Sequence, residues 1–238
     1  KFMFAALKRF YERLQGSDRI DPNSTLTDEQ LRVLTIGNVY AWQQGAVLNS
    51  LDMKLSGSRL DLILSKWWGI DNREEAIDTL EYLTQGTFSL TFPDLCEAWA
   101  LYDLKKAFNF LKSKYDEDML QRLWEQYNNL GTAWDDLRRK KIFKDFEEMC
   151  ALGVMGWDAG RLNFVARASF NKEYISEEEL WRYMQRAYDM AHSELHSWKE
   201  LANSYVLGRA LWNGSTDIAT FAGIALENKY SPWTWLKW

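Results

Sequence analysis

ISEEELWRYMQRAYDM, residues 175–190, carries both signals that specify a helix, a cap and a period. Ser176 is placed to cap the start, Glu179 to return the bond, and Ile175 to pack on Leu180 across the first turn. Apolar residues then recur at three and four: Leu180, Tyr183 with Met184, Ala187 with Tyr188. That spacing marks one face of a 3.6-residue period. LTDEQL repeats the scheme with Thr27, Gln30 and a Leu26–Leu31 staple. Asp71 with Glu74 is expected to open REEAIDTLEYL, and Ser197 with Glu200 to open WKELANSYVLGRALW. Pro93 and Pro232 read as first-turn prolines. TFSLTF (87–92) is the one strand candidate. The expected fold is therefore all-α, a single compact domain of about ten helices with short connections and little or no sheet, spanning residues 1–238.

The composition limits the function classes. A chain of 238 residues that is 47% hydrophobic can bury a sizeable core. Its 13 tryptophans run from Trp42 to Trp238 without clustering, which reads as core and inter-helix anchors, each needing a partner for its N–H. A net charge of −5 argues against nucleic acid as a partner. The basic run RRKKIFK (138–144) is flanked by Asp135, Asp136, Asp145, Glu147 and Glu148 and reads as a solvated helix face. Cys96 and Cys150 lie in apolar helical contexts without metal-ligand spacing, so buried thiols and a cytoplasmic location are expected. No apolar run approaches membrane-spanning length, and no membrane partner is expected. The opening KFMFAALKRF breaks at Lys8 and Arg9, too early for a signal sequence. A chain beginning at Lys1 without Met is expected to be trimmed, which leaves a removed leader open.

The familiar chemistries find little support. His192 and His196, four apart with Asp189 one turn earlier, suggest a metal site on one helix face. The pattern is not HExxH, because Glu194 falls on another face and Glu200 belongs to a capping box, so no metal is expected. There is no GxSxG, and neither cysteine has a histidine nearby in sequence. Gly153, Gly156 and Gly160 lack the strand and the Gly-Lys-Ser/Thr of a phosphate loop; they are expected to end one helix and let the next approach closely. Acidic pairs such as Glu74–Glu75 and Glu177–Glu179 sit in first turns, where they complement the helix dipole. No catalytic residue and no cofactor is assigned.

GWDAGRLNFVARASF (156–170) poses the sharper question. Asp158 and Arg161 are three apart, hence neighbours on a helix face, and Arg167 follows in the same apolar run. SYVLGRALW (204–212) embeds Arg209 one turn after Tyr205. A buried, unpaired charge costs several kcal/mol, so these arginines need partners. In one reading Asp158 caps its own helix and the arginines staple helix to helix through bidentate bonds. In the other, Arg161, Arg167 and Arg209 line an anion pocket, with Asp158 orienting one of them and Tyr205 as proton donor. The staple is favoured, because ion-pair networks mimic sites.

Four blocks, WWGIDNREEAIDTLEYLTQG (67–86), WDAGRLNFVAR (157–167), YISEEELW (174–181) and SWKELANSYVLGRALW (197–212), together resemble the bacterial domain-of-unknown-function family numbered 1266. The order and spacing of the last three are the specific part. Matching positions include Trp68, Gly69, Arg73, Glu75, Trp157, Asp158, Arg161, Arg167, Glu179, Trp181, Ser197, Trp198, Tyr205, Gly208, Arg209 and Trp212. The family-like core is about 67–212, with N-terminal helices within 1–56 and the aromatic tail 231–238 packed on it. The resemblance implies a bacterial intracellular helical protein and no activity. The expected function is a non-enzymatic protein-interaction module, an adaptor or partner-neutralising protein whose partner is another protein. The alternative is a binder or enzyme for a small anionic ligand held by Arg161, Arg167 and Arg209. The tail SPWTWLKW reads as an exposed aromatic anchor or, the more usual arrangement, as docked on its own domain.

Overall fold

A computed structural model of the chain describes residues 16–238; the opening KFMFAALKRF and the start of the expected N-terminal helices lie outside the described residues. Every regular element among the described residues is helical. In chain order these are α1 (Asp28–Leu34), α2 (Asn38–Gln44), α3 (Gly57–Asp61), α4 (Arg73–Leu83), α5 (Thr87–Ala100), α6 (Leu104–Lys114) and α7 (Glu117–Arg139). They continue with α8 (Phe146–Leu152), α9 (Met155–Asn171), α10 (Glu177–Glu194), α11 (Trp198–Asn213) and α12 (Ala219–Glu227). A π-helical segment, Leu62–Trp68, runs on directly from α3, and a 3₁₀ turn at Pro232–Thr234 opens the tail.

Local caps form where the sequence places them, with instructive departures. Thr27 with Gln30 and Ser176 with Glu179 close complete capping boxes. Ser197 caps α11, but the Glu200 carboxylate returns to the His196 amide instead of the Ser197 amide. At α4 the cap sits one residue later than expected: Asn72 accepts from Glu75, and Glu75 accepts from the Asp71 amide. Asn caps as well as Asp, and Asn72 is the residue with extended backbone at the junction. TFSLTF is not a strand; it forms the first turns of α5. Pro93 lies inside that helix, not in its first turn, and removes one intrahelical donor. Pro232 does open its 3₁₀ turn.

α9 is the axis of the fold. Fifteen of its 17 residues are buried, and α2, α4, α5, α10 and α11 all pack on it. A helix buried on all sides is ordinarily apolar throughout, so each polar residue of α9 needs an explanation. The α9–α11 approach is set by glycine. A Cβ at Gly156 would lie 2.6 Å from the Leu201 carbonyl, at Gly160 2.7 Å from the Tyr205 ring, and at Gly208 2.2 Å from the Trp157 Cβ. The Ser204 hydroxyl latches the crossing, accepting from the Gly156 amide at 2.8 Å and donating to the Gly153 carbonyl at 3.0 Å.

The tail is docked. The Trp233 indole donates to the Thr35 carbonyl at 3.0 Å, Trp198 donates to the Leu236 carbonyl at 2.9 Å, and the Trp198 and Trp233 rings stack. An exposed aromatic anchor at 231–238 is therefore not what the chain builds, although Trp235 alone stays open. Trp42 and Trp157 depart from the expectation that each N–H finds a partner: both keep theirs buried without one among the described residues. Cys96 is buried, whereas Cys150 is only half-buried. Among the described residues no helix is long and apolar enough to cross a membrane.

Candidate functional site

The polar residues of α9 divide into two groups. Toward its C-terminal end, Arg167 is 3% exposed and enclosed by main-chain carbonyls. Its Nη2 donates to Val47 at 2.7 Å and to Ser50, and its Nε donates to Leu51 at 3.3 Å. Asn171 supports the same loop, donating to the Leu51 carbonyl and accepting from the Met53 amide. Asn163 accepts from the Gly37 amide at 3.1 Å and donates to the Val33 carbonyl at 2.8 Å. Burial pushes the Arg167 pKa down to about 9, which still leaves the guanidinium charged at neutral pH. Arg167 is thus a staple for the irregular segment 47–53 and does not join Arg161 and Arg209, contrary to the three-arginine pocket. Its partners are loop carbonyls, not carboxylates on a neighbouring helix.

One and a half turns earlier, Asp158 and Arg161 form a buried ion pair at 2.5 Å. The other Asp158 oxygen accepts from the Ser89 amide and the Ser89 hydroxyl, both at 2.9 Å. Ser89 stands in the first turn of α5, whose N-cap Gly86 has no side chain to offer. Asp158 therefore caps α5 across the interface and not its own helix, which starts at Val154 without a side-chain cap. Arg161 also donates to the Trp157 carbonyl at 3.3 Å and lies 4.8 Å from the Phe88 ring and 4.7 Å from the Trp157 ring. Both distances are in cation–π range.

Beside this pair, a cavity of about 410 Å³ opens between α2, the π-helical segment, α9 and α11. α9 contributes Trp157 and Arg161; α11 contributes Tyr205, Arg209 and Trp212. These three share one helix face by their spacing of four and three. Tyr40, Gln43 and Gln44 enter from α2, Trp67 and Trp68 from the π-helical segment, and Ile218 closes the lining. Among the described residues no carboxylate lines the cavity. Trp67 and Trp212 are about half exposed, at 51% and 52%. π-Helical turns often occur at functional sites because they re-aim side chains out of α register.

The walls carry a surplus of donors. Tyr205 is 2% exposed and lines the cavity. Burial raises its pKa well above the ordinary phenol value, so it holds its proton. Tyr40 is likewise raised by burial, and its oxygen accepts from the Trp68 indole at 3.2 Å. The Arg209 guanidinium is 4.5 Å from the Trp212 ring and makes no hydrogen bond or ion pair among the described residues. The Trp157 indole N–H is buried without an acceptor. Gln44 is held from behind, its carbonyl accepting from Arg59 Nη2 at 2.6 Å.

Of the five residues singled out in the sequence, Arg161, Tyr205 and Arg209 meet at this cavity, Asp158 orients Arg161 from outside the lining, and Arg167 stands apart. Trp68, Trp157 and Trp212 belong to the family-like blocks but had no assigned role. Gln43 and Gln44 carry no sequence signal beyond their place at the end of α2, a helix buried over most of its length.

The histidine pair does not hold together. α10 ends at Glu194, so His196 is not on the helix face of His192. The His192 ring is stacked between Tyr188 at 3.7 Å and Trp238 at 4.0 Å, and burial lowers its pKa. The basic run 138–144 is partly tied up, Lys140 with Asp136 at 2.8 Å and Lys144 with Asp145 at 3.1 Å.

The family described as "Protein of unknown function (DUF1266)" matches residues 63–238, extending beyond the 67–212 core to include the tail. Uncharacterized protein YbeU of Escherichia coli (strain K12) is 27% identical over 157 residues, which is 64% of this chain and 57% of that protein. Uncharacterized protein YbeR of the same strain is 24% identical over 155 residues, 65% of this chain and 58% of its own length. The matched segment thus spans little more than half of these curated relatives. No solved structure matches the chain. With the matched residues covering well over half of its length, including Asp158, Arg161, Tyr205 and Arg209, the chain belongs to the DUF1266 family.

Proposed function

We propose that the protein binds a small organic anion in the cavity between α2, α9 and α11, with Arg209 as its cationic partner and Arg161, paired with Asp158, in the wall. One observation carries this reading: Arg209 lines the cavity half-buried, without a hydrogen bond or ion pair among the described residues, and no carboxylate is in the lining. A partly desolvated guanidinium is stabilised when an acceptor completes its fork. The cavity is within the size range of ligand sites, and its mix of aromatic walls with a few polar groups is usual for them. The reading is one of binding, with Tyr40 and Tyr205 as the hydroxyl groups in the lining. Free thiols at Cys96 and Cys150 support a reducing, cytoplasmic setting.

Arg209→Ala tests the reading. The variant is expected to unfold within about 2 °C of the parent and to lose affinity for organic anions measured by calorimetry. A large fall in melting temperature would make Arg209 a staple and sink the proposal. A second reading, docking of another protein, is supported by Leu101, Tyr102 and Leu104, exposed side by side at the α5–α6 turn, Tyr102 at 83%. A partner retained by Arg209→Ala but lost by a Tyr102→Ser, Leu104→Ser double variant would favour it.

A further inference from the structure

Resting on that ligand-binding reading, we infer that the ligand is a flat aromatic monocarboxylate, its carboxylate clamped by Arg209 and its ring held against the tryptophans of the rim. The charge follows from which guanidinium is still unspent. Arg161 is already neutralised, with Asp158 at 2.5 Å and the Trp157 carbonyl on its Nε. Arg59 stands behind the wall, its Nη2 on Gln44 and its guanidinium 5.3 Å from the Trp67 ring, and it does not line the cavity. One cation, Arg209, therefore meets the ligand without a counter-charge. A monoanion balances it, whereas a phosphomonoester would bring close to two negative charges into a partly desolvated site. A carboxylate also offers about four lone-pair positions, enough for the Arg209 fork and the Tyr205 hydroxyl, both in the lining.

The shape follows from the walls. Trp67, Trp68, Trp157 and Trp212 with Tyr40 and Tyr205 make most of the lining. Trp67 and Trp212, from different elements, line the cavity half-exposed, each with a guanidinium over its ring, Arg59 at 5.3 Å and Arg209 at 4.5 Å. Offset or edge-on stacking adds to area burial only for a flat partner.

The experiment is calorimetric titration of the full chain with four probes: indole-3-carboxylate, indole, cyclohexanecarboxylate and phenyl phosphate. Indole-3-carboxylate is expected to bind at about millimolar strength, and each of the others at least about tenfold more weakly. Arg209→Ala should abolish indole-3-carboxylate binding; Arg209→Gln, which keeps length without charge, should do the same should the alanine variant unfold. Trp67→Ala should weaken indole-3-carboxylate about tenfold and leave cyclohexanecarboxylate unchanged. Tighter binding of phenyl phosphate, lost with Arg209, would overturn the monocarboxylate and leave the organic-anion reading standing. Equal loss of both carboxylates in Trp67→Ala would overturn the flat body alone. No binding of any probe, or binding that persists without Arg209, would overturn this inference and the reading beneath it.

Discussion

The two ends of α9 each bury an arginine, Arg161 at 7% and Arg167 at 3% exposure, and they do opposite things. Arg167 faces an irregular loop, 47–53, whose carbonyls are not consumed by secondary structure and turn inward onto the guanidinium. Arg161 looks across the cavity at α11, a regular helix. Interior helix carbonyls are already committed to their own i+4 amides, so α11 offers only side chains, and the ones it offers are Tyr205, Arg209 and Trp212. Against a loop, a buried arginine completes itself and becomes scaffold. Against a helix it needs an acceptor from elsewhere: Asp158 supplies one for Arg161, and nothing among the described residues supplies one for Arg209.

The widest gap between the two ends should appear in Arg167→Met. Removing the guanidinium leaves the Val47 and Ser50 carbonyls without this donor in a dry site, and leaves Leu51 with Asn171 alone, at a cost of about 3 kcal/mol or more. Chemical denaturation would measure it, and hydrogen exchange should show residues 47–53 losing protection first. A cost below about 1 kcal/mol would mean that the loop holds itself, and the contrast would fail.

Asp158→Ala comes next, at about 2–3 kcal/mol, since it strands a buried Arg161 and uncaps α5 together. Ser89→Ala sharpens the same point at a smaller scale. It deletes the hydroxyl contact and keeps the amide one, so about 1 kcal/mol is expected by denaturation. Were Ser89→Ala as costly as Asp158→Ala, the hydroxyl contact and not the ion pair would dominate at this end.

What could be read from the sequence was what is local. The boxes at Thr27–Gln30 and Ser176–Glu179 close within one turn, and both form. The start of α5 could not be read, because its cap is 69 residues away in Asp158. Without that partner TFSLTF shows only its alternation, and Pro93 sits deeper in a helix than its usual position allows one to expect. The Asp158–Arg161 pair follows from a spacing of three. Which of Arg161, Arg167 and Arg209 would share a cavity depends on what faces each one, and an irregular loop such as 47–53 carries no periodic signal. The tryptophans were correctly read as anchors at Trp198 and Trp233, yet Trp67 and Trp212 became a rim, because a π-helical turn and a glycine-set crossing aim them there.

The smallest expected effect on stability is that of Arg209→Ala, and it bears most on the comparison. Its one direct partner among the described residues is the half-exposed Trp212 ring, a contact worth about 0.5–1 kcal/mol. Truncation also relieves the cost of holding a charge partly out of water, which offsets that loss. The net change in unfolding free energy is expected within about 0.5 kcal/mol, against about 3 for Arg167→Met. The two residues lie on different helices with no shared partner, so the double variant should be additive to within about 0.5 kcal/mol. Denaturation of the four proteins would measure this directly. A cost for Arg209→Ala as large as that of Arg167→Met, or strong coupling between them, would make both arginines staples; a near-zero cost leaves the Arg209 fork available to a ligand.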